Sequence, residues 1–424
     1  MKIISVIAAT LSGNRGAEAM LTTTIGRIRD RYPDAHFNVY SYYPKRDRAL
    51  SNDPNITIFS ATPLYLVTVL FPCSILLSLL KFSILKTLRM LLPKSVRALD
   101  TSDVLIDLAG VSFIDGREKF LPYNVLTLMP AFILKTPVIK FAQAIGPLHN
   151  RLNRSLAMFT LSRTHKIFAR GHNTYNHLKT LSIDTYHPEP VADIAFLHQA
   201  RDTLTHENPK KLGQLEERLK RESRELIGIC PSSVLAGKLL KDDINYAQHL
   251  TTICHQLIER GYAVLLYPNA TRETDMSKLR NNDLPIISDI VNRLGNEQIP
   301  LDSVYFVDFD INTIGIKRLM SYCRLVMVSR FHAMIAALTD SQPVIVLGWS
   351  HKYQEVMAYF DLDDLVFDFT QLEADVILSA IKRTLDMESS IRQQIEQHHE
   401  SIEISAYKQI NYVIDLLDNG SSCI

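Results

Sequence analysis

The sequence predicts an α/β protein built from two Rossmann-like domains. Its 424 residues, 46% of them apolar, exceed what one ordinary hydrophobic core organises. Strand-length apolar runs alternate with helical patterns through both halves of the chain. Those runs are continuous rather than period-two, as strands covered on both faces of a parallel sheet require.

In order, the first half offers strands at Ile3 to Ala9, Phe37 to Tyr42, Val104 to Leu108, Val138 to Ala142 and Lys166 to Ala169, with a helix from about Ala17 to Arg31. The second half repeats the rhythm with Leu226 to Cys230, Ala263 to Tyr267, Ser303 to Val307, Leu325 to Val328 and Val344 to Leu347. Helices at Tyr246 to Arg260 and Ile314 to Tyr322 separate them. The charged stretch 199–224 lacks any strand signal and reads as a linker. The expected division is therefore residues 1–198, the linker, residues 225–371, and a polar helical region 372–424 packed on the outside. Paired domains of this class bind ligands in the cleft, near the carboxyl ends of the strands, so the active site is expected there.

One segment breaks the rhythm. Leu64 to Leu80 is almost wholly apolar, Pro72 interrupts it, and the continuation to Leu92 carries Lys81, Lys86 and Arg89. The proline and the cations fit an element lying in a membrane interface better than a span. A buried helical hairpin or a dimer surface accounts for the apolarity equally well.

Lys plus Arg number 46 against 45 for Asp plus Glu, which removes the electrostatic footprint of a nucleic-acid binder and leaves recognition to local clusters. The cysteines Cys73, Cys230, Cys254, Cys323 and Cys423 form no CxxC pair and mostly sit in apolar runs, which fits a reducing cytoplasm. The opening Met1 to Ile7 is too short for a signal-peptide core and reads as the first strand. No His/Cys/Asp cluster has metal-ligand spacing, so the sequence calls for no metal.

Four motifs carry chemistry. Ser12-Gly13-Asn14-Arg15-Gly16-Ala17-Glu18-Ala19 follows the first strand and opens a helix, where glycines let backbone approach a ligand and unpaired N–H groups favour an anion. Neither a dinucleotide fingerprint nor a P-loop lysine is present, so nucleotide cofactors gain no support. Gln143-Ala144-Ile145-Gly146-Pro147 ends a strand in a turn and offers the Gln143 amide to a hydroxylated ligand. Phe168-Ala169-Arg170-Gly171-His172 presents Arg170 at another strand end. The fourth, Ser329-Arg330-Phe331-His332-Ala333, joins a buried strand to a helix that Ser329 is placed to cap. Arg330 adds a fork of donors suited to carboxylate or phosphate, and His332 an imidazole that can carry a proton. Trp349-Ser350-His351-Lys352-Tyr353 brings one more cation, Lys352, to the same sheet edge. Each residue also has an ordinary alternative: a tight turn, a surface charge, an arginine paired with a structural acid.

The set Gly13-Asn14-x-Gly16-x-x-Ala19, Gln143-x-x-Gly146-Pro147, Arg170, Ser329-Arg330-Phe331-His332-Ala333 and Lys352-Tyr353 resembles the polysaccharide pyruvyl transferases, in the family's order and across most of the chain. The Gly-Asn-Arg-Gly beginning is most similar to the colanic-acid type of member. The resemblance implies a GT-B-like fold and phosphoenolpyruvate as donor substrate, with no further cofactor. It also implies a sugar as acceptor; the apolarity of Leu64 to Leu92 points further to a lipid-linked oligosaccharide, and to work in the cytoplasm or at the inner face of the cytoplasmic membrane. Carried to this chain, it implies Arg330 and Lys352 as anion clamps, Arg170 as a partner of carboxylate or phosphate, and His332 as the acid. Asn14, Gln143 and Ser329 complete the binding set. Ala17 stands where many members have Asp, Gly171 follows Arg170 where Asp is common, and Leu108-Ala109-Gly110 replaces a glycine triplet. Glu18 is then the residue left to act as base. The departures keep two other readings open: a GT-B glycosyltransferase using a nucleotide sugar, and a non-catalytic, membrane-associated assembly component.

Overall fold

The computed structural model describes residues 1–81, 86–181, 188–204, 208–272, 281–348, 351–368 and 373–419. Two compact units emerge. The first comprises Met1–Ser12, Met20–Leu204 and Glu403–Ile424; the second comprises Gly13–Ala19 and Thr205–Ile402.

In the first unit the strands are β1 (Ile3–Ile7), β2 (His36–Ser41), β3 (Ile56–Ser60), β4 (Val104–Asp107), β5 (Val111–Ser112), β6 (Val138–Ile145), β7 (Lys166–Arg170) and β8 (Glu189–Val191). They form a parallel sheet in the order β3-β2-β1-β4-β6-β7-β8, with β5 paired to β6. Its central strands read apolar on both faces because helices cover both: Ile4, Val6, Leu105, Ile106 and Ile139 are all buried. The chain reverses direction across the sheet between β1 and β4, which leaves a crevice beyond their carboxyl ends.

The second unit repeats the plan with β9 (Leu226–Cys230), β10 (Ala263–Leu266), β11 (Val304–Phe306), β12 (Leu325–Val328), β13 (Val344–Gly348) and β14 (Val366–Asp368), ordered β11-β10-β9-β12-β13-β14 and again parallel. Its crevice lies where β9 meets β12. A core of Ile227, Ile229, Leu250, Val264, Ile290 and Met327 joins the sheet to its helices.

Every strand expected from the sequence is present. The edge strand β3 and the short β5, β8 and β14 go beyond the sequence reading: Ile56-Thr57-Ile58 alternates in polarity where the other strands run continuously apolar, and Pro190 sits inside β8, a residue tolerated only at an edge. The change from the first unit to the second, after Leu204, falls inside the stretch read as a linker, and the rest of that stretch contains the helix Pro209–Arg221, which buries Leu212, Leu215 and Leu219; their spacing of three and four marks one helical face among many charges. The C-terminal region is not a single outer layer. The helix Ala374–Asp386 puts Ile377, Leu378 and Ile381 into the second unit's core. The helix Glu388–Asn419 runs on into the first unit, where the Gln409 side chain accepts from Ala142 N at 2.7 Å and donates to Ala192 O at 3.0 Å.

Candidate active site

The second unit's crevice is organised by a buried ion pair. Arg330 follows β12, and Ser233 lies three residues beyond the end of β9. The Arg330 guanidinium donates through Nε to both carboxylate oxygens of Asp283, at 3.2 and 3.1 Å, and through Nη2 to Asp283 and to Ser233 Oγ, the latter at 2.8 Å. Asp283 is completely buried and also accepts backbone N–H groups from Ser233 (2.8 Å), Asn269 (3.2 Å) and Ala270 (2.9 Å). One carboxylate therefore ties together the turns after β9, β10 and β12. Burial opposes the guanidinium charge, yet Asp283 holds the Arg330 pKa above its ordinary value. The same burial, with the Asp283 charge nearby, pushes the Cys230 thiol at the end of β9 well up, so it behaves as an inert core residue.

The Gly13–Ala19 segment docks onto these turns through its backbone. Thr271 N donates to Gly13 O at 2.8 Å, Arg15 N to Asn269 O at 3.1 Å, and Asn14 forms an isolated bridge with Ala270. Asn14 Oδ1 accepts from Gly16 N at 3.0 Å, capping the helix Arg15–Arg31. Glu18 is buried and accepts from Arg15 Nη1 at 2.8 Å, with Thr313 N at 3.3 Å and Thr313 Oγ1 at 3.2 Å also donating to it. Its carboxylate thus fastens the loop to the turn after β11, a structural engagement that the sequence did not signal.

Gly16 abuts His332. A β-carbon on Gly16 would lie 2.1 Å from His332 Nδ1 and 2.7 Å from its Cβ, so only glycine permits the first turn of one helix to lie against the first turn of the helix Phe331–Thr339. Phe331 stacks edge-on with His332 at 5.3 Å and with Tyr353 at 5.7 Å. The Lys352 ammonium lies 4.8 Å from the Phe331 ring centroid, in the range of a cation–π contact. Ser329 departs from its expected role: the N-cap of this helix is Arg330, without a side-chain cap bond. The Ser329 hydroxyl accepts instead from Tyr246 Oη at 2.8 Å, and its carbonyl accepts from Tyr353 Oη at 3.3 Å. Trp349 and Ser350 of the neighbouring motif, and the His351 side chain, lie outside the described residues, as does Cys423.

The fold thus brings six of the expected residues, Asn14, Glu18, Ser329, Arg330, His332 and Lys352, into the second unit. Arg170 and Gln143 belong to the first. Arg170, at the end of β7, donates to Asp193 at 3.0 Å and to Gly110 O at 2.8 Å. Gln143, fully buried on β6, accepts from Ser112 Oγ and donates to Phe141 O at 3.3 Å. At the turn that follows, Gly146 has φ of 85°, and a β-carbon there would meet the His177 ring at 2.6 Å. Asp283, Ser233 and Tyr246 went unrecognised in the sequence. Asp283 precedes Leu284-Pro285 at a helix start, a position that looks like an ordinary N-cap.

The family model of the polysaccharide pyruvyl transferases matches residues 14–351, from the capping Asn14 to the residue before Lys352. The chain belongs to the polysaccharide pyruvyl transferase family. A search of curated protein sequences gives no match. Among solved structures, this pyruvyl transferase is similar to a UDP-GlcNAc 2-epimerase from Neisseria meningitidis bound to UDP-GlcNAc, at 12% identity and a TM-score of 0.58, over 98% of this chain and 100% of that one. A putative UDP-N-acetylglucosamine 2-epimerase from Listeria monocytogenes gives 10% identity and 0.61, over 99% and 98%. An α,α-trehalose-phosphate synthase from Burkholderia vietnamiensis gives 11% and 0.56, over 98% of each chain. These likenesses establish the GT-B-like fold of two Rossmann-like sheets. As a family member the protein is an enzyme, a transferase of polysaccharide biosynthesis whose acceptor is a sugar.

Proposed function

We propose that the enzyme takes phosphoenolpyruvate as donor and closes a pyruvate ketal on a sugar of a surface polysaccharide or its lipid-linked precursor, working in the cytoplasm. The observation that carries this reading is the Arg330 fork, fixed by Asp283 and Ser233 at the crevice of the second sheet, with His332 and Lys352 on the elements beside it. A donor bearing both phosphate and carboxylate calls for fixed cations of this kind. Among the described residues Arg330 Nη1 makes no hydrogen bond, which leaves one edge of the fork for the donor. The colanic-acid-like Gly13-Asn14-Arg15-Gly16 beginning supports an exported polysaccharide as product, and the free thiols of Cys73, Cys230, Cys254 and Cys323 are compatible with a reducing compartment.

In this mechanism His332 donates a proton to the methylene carbon, which becomes the methyl group, while the central carbon becomes electrophilic. One sugar hydroxyl adds there and releases its proton; a second hydroxyl displaces the phosphate, which leaves with the remaining proton, and the ketal closes. Cations compensate the departing charge. Glu18, buried against Arg15, is poorly disposed to serve as base, and in this reading its part is to hold the loop.

The test is titration of the purified enzyme with phosphoenolpyruvate and with nucleotide sugars, followed by mass analysis of the host's glycan with and without the gene. Thermal stabilisation by phosphoenolpyruvate, and a pyruvate ketal lost with the gene, are expected. Stabilisation by a nucleotide sugar alone, or an unchanged glycan, would overturn the reading.

A further inference from the structure

The helical run Pro63–Lys81 is long and apolar enough to cross a membrane by length and composition, but the fold uses only one of its faces. Leu66, Leu70, Leu77 and Leu80 pack into the first unit's core with Ile7, Tyr40 and Leu105. Their spacing keeps them on one side of a helix. The other side is equally apolar and faces outward: Leu64 is 74% exposed and Leu79 66%, with Val67, Ile75 and Leu76 between them. At about 1.5 Å per residue the strip from Leu64 to Leu79 is roughly 23 Å long. The turn Lys86–Leu91 packs beside it and extends the patch through Leu88, Met90 and Leu91, the last 81% exposed. A contiguous apolar surface of this kind marks an interaction site rather than ordinary surface.

The charges around the patch identify what covers it. Residues 54–99 contain no Asp or Glu but carry Lys81, Lys86, Arg89, Lys94 and Arg97. Lys81 is paired with Asp100, while Lys94 is exposed beside the Leu88 to Leu91 turn. In a symmetric contact with a second copy this patch would meet itself, cation against cation, with no acid in the segment to compensate. An anionic bilayer surface complements it on both counts, taking the leucines into its acyl boundary and the cations at its headgroups. Spanning is excluded by the fold, since the buried face is already committed to the sheet.

We propose that Leu64 to Leu79 and Leu88 to Leu91 form a docking surface for an anionic lipid bilayer, on which the helix lies in the plane of the membrane.

Flotation of the full chain with vesicles tests it. The wild type should float with phosphatidylglycerol/phosphatidylcholine vesicles and lose about tenfold or more of that binding on phosphatidylcholine alone or in high salt. Leu79→Glu with Leu91→Glu should abolish flotation with an unchanged circular dichroism spectrum and melting curve, both positions being exposed. Arg89→Glu with Lys94→Glu, which leaves the apolar strip intact, should weaken binding to the anionic vesicles by about tenfold. A wild type that stays at the bottom of the gradient would overturn the proposal, as would leucine variants that float equally well. A wild-type dimer that the leucine substitutions dissociate, without flotation, would assign the patch to a second copy instead.

Discussion

The Gly16 α-carbon and the His332 imidazole are in such close contact that a β-carbon on Gly16 would lie 2.2 Å from His332 Cγ. His332 Cβ would be only 2.7 Å away, so turning the ring aside cannot relieve the clash. Gly16→Ala should therefore move His332 by a substantial fraction of an ångström, although alanine is the better helix former. With His332 as the proposed proton donor, we expect a fall in turnover of about 10²-fold, the scale of a small misplacement of a reacting group, and a loss of about 1–3 kcal/mol in stability. Thermal unfolding and phosphate release from phosphoenolpyruvate in the presence of acceptor measure the two.

In the proposed mechanism, removing the His332 imidazole separates binding from chemistry. His332→Ala should lower kcat by about 10²–10⁴-fold, the usual contribution of a positioned acid, while phosphoenolpyruvate still binds by calorimetry. Full activity in that variant would remove the proton-donor role.

Asp283 is predicted to matter more for order than any residue that faces the crevice. Asp283→Ala leaves Arg330 as a buried charge without its carboxylate and strands three backbone N–H groups, so a loss of about 3–5 kcal/mol is expected. Arg330→Lys is milder for the fold but replaces a fork with a point charge. Donor affinity should drop about 10–100-fold, the worth of one or two charged hydrogen bonds; unchanged donor affinity would make Arg330 purely structural.

A stability cluster on the far edge of the second sheet gives a pH signature. Glu222 accepts from Arg224 N, Nε and Nη2, each at 2.8 Å, and from Tyr305 Oη at 2.7 Å. The Arg224 hydrogen bonds draw its pKa down to about 2. A depressed carboxylate contributes stability above its unfolded value and loses it as pH falls towards the folded one. Glu222→Gln should thus be less stable than wild type at pH 7, by about 1 kcal/mol given the solvent screening of Arg224. The gap should close between about pH 4.5 and 2 in denaturant titrations.

The two sheets were legible from the chain because their central strands must be apolar on both faces. The runs Leu226–Cys230 and Leu325–Val328 appear in the fold with the bounds read from sequence. Strand-to-helix corners were legible too, since Gly146 and Arg330 stand just past the ends of β6 and β12 and Gly16 lies in the first turn of the helix that follows β1. Partnership was not. Arg330 and Asp283 are 47 residues apart, and Glu18 meets Thr313 across 295. No local pattern encodes which acid will lie beneath which arginine.

Sequence by itself determined the fold class, the family and the strand-to-helix corners, because periodicity and ordered motifs are local properties of the chain. Only tertiary structure decided that Glu18 is a buried strut, that Ser329 answers to Tyr246 rather than capping its helix, and that half of an apolar helix is left facing outward. Those outcomes depend on which surfaces the packed elements bury, and burial is a property of the folded chain as a whole.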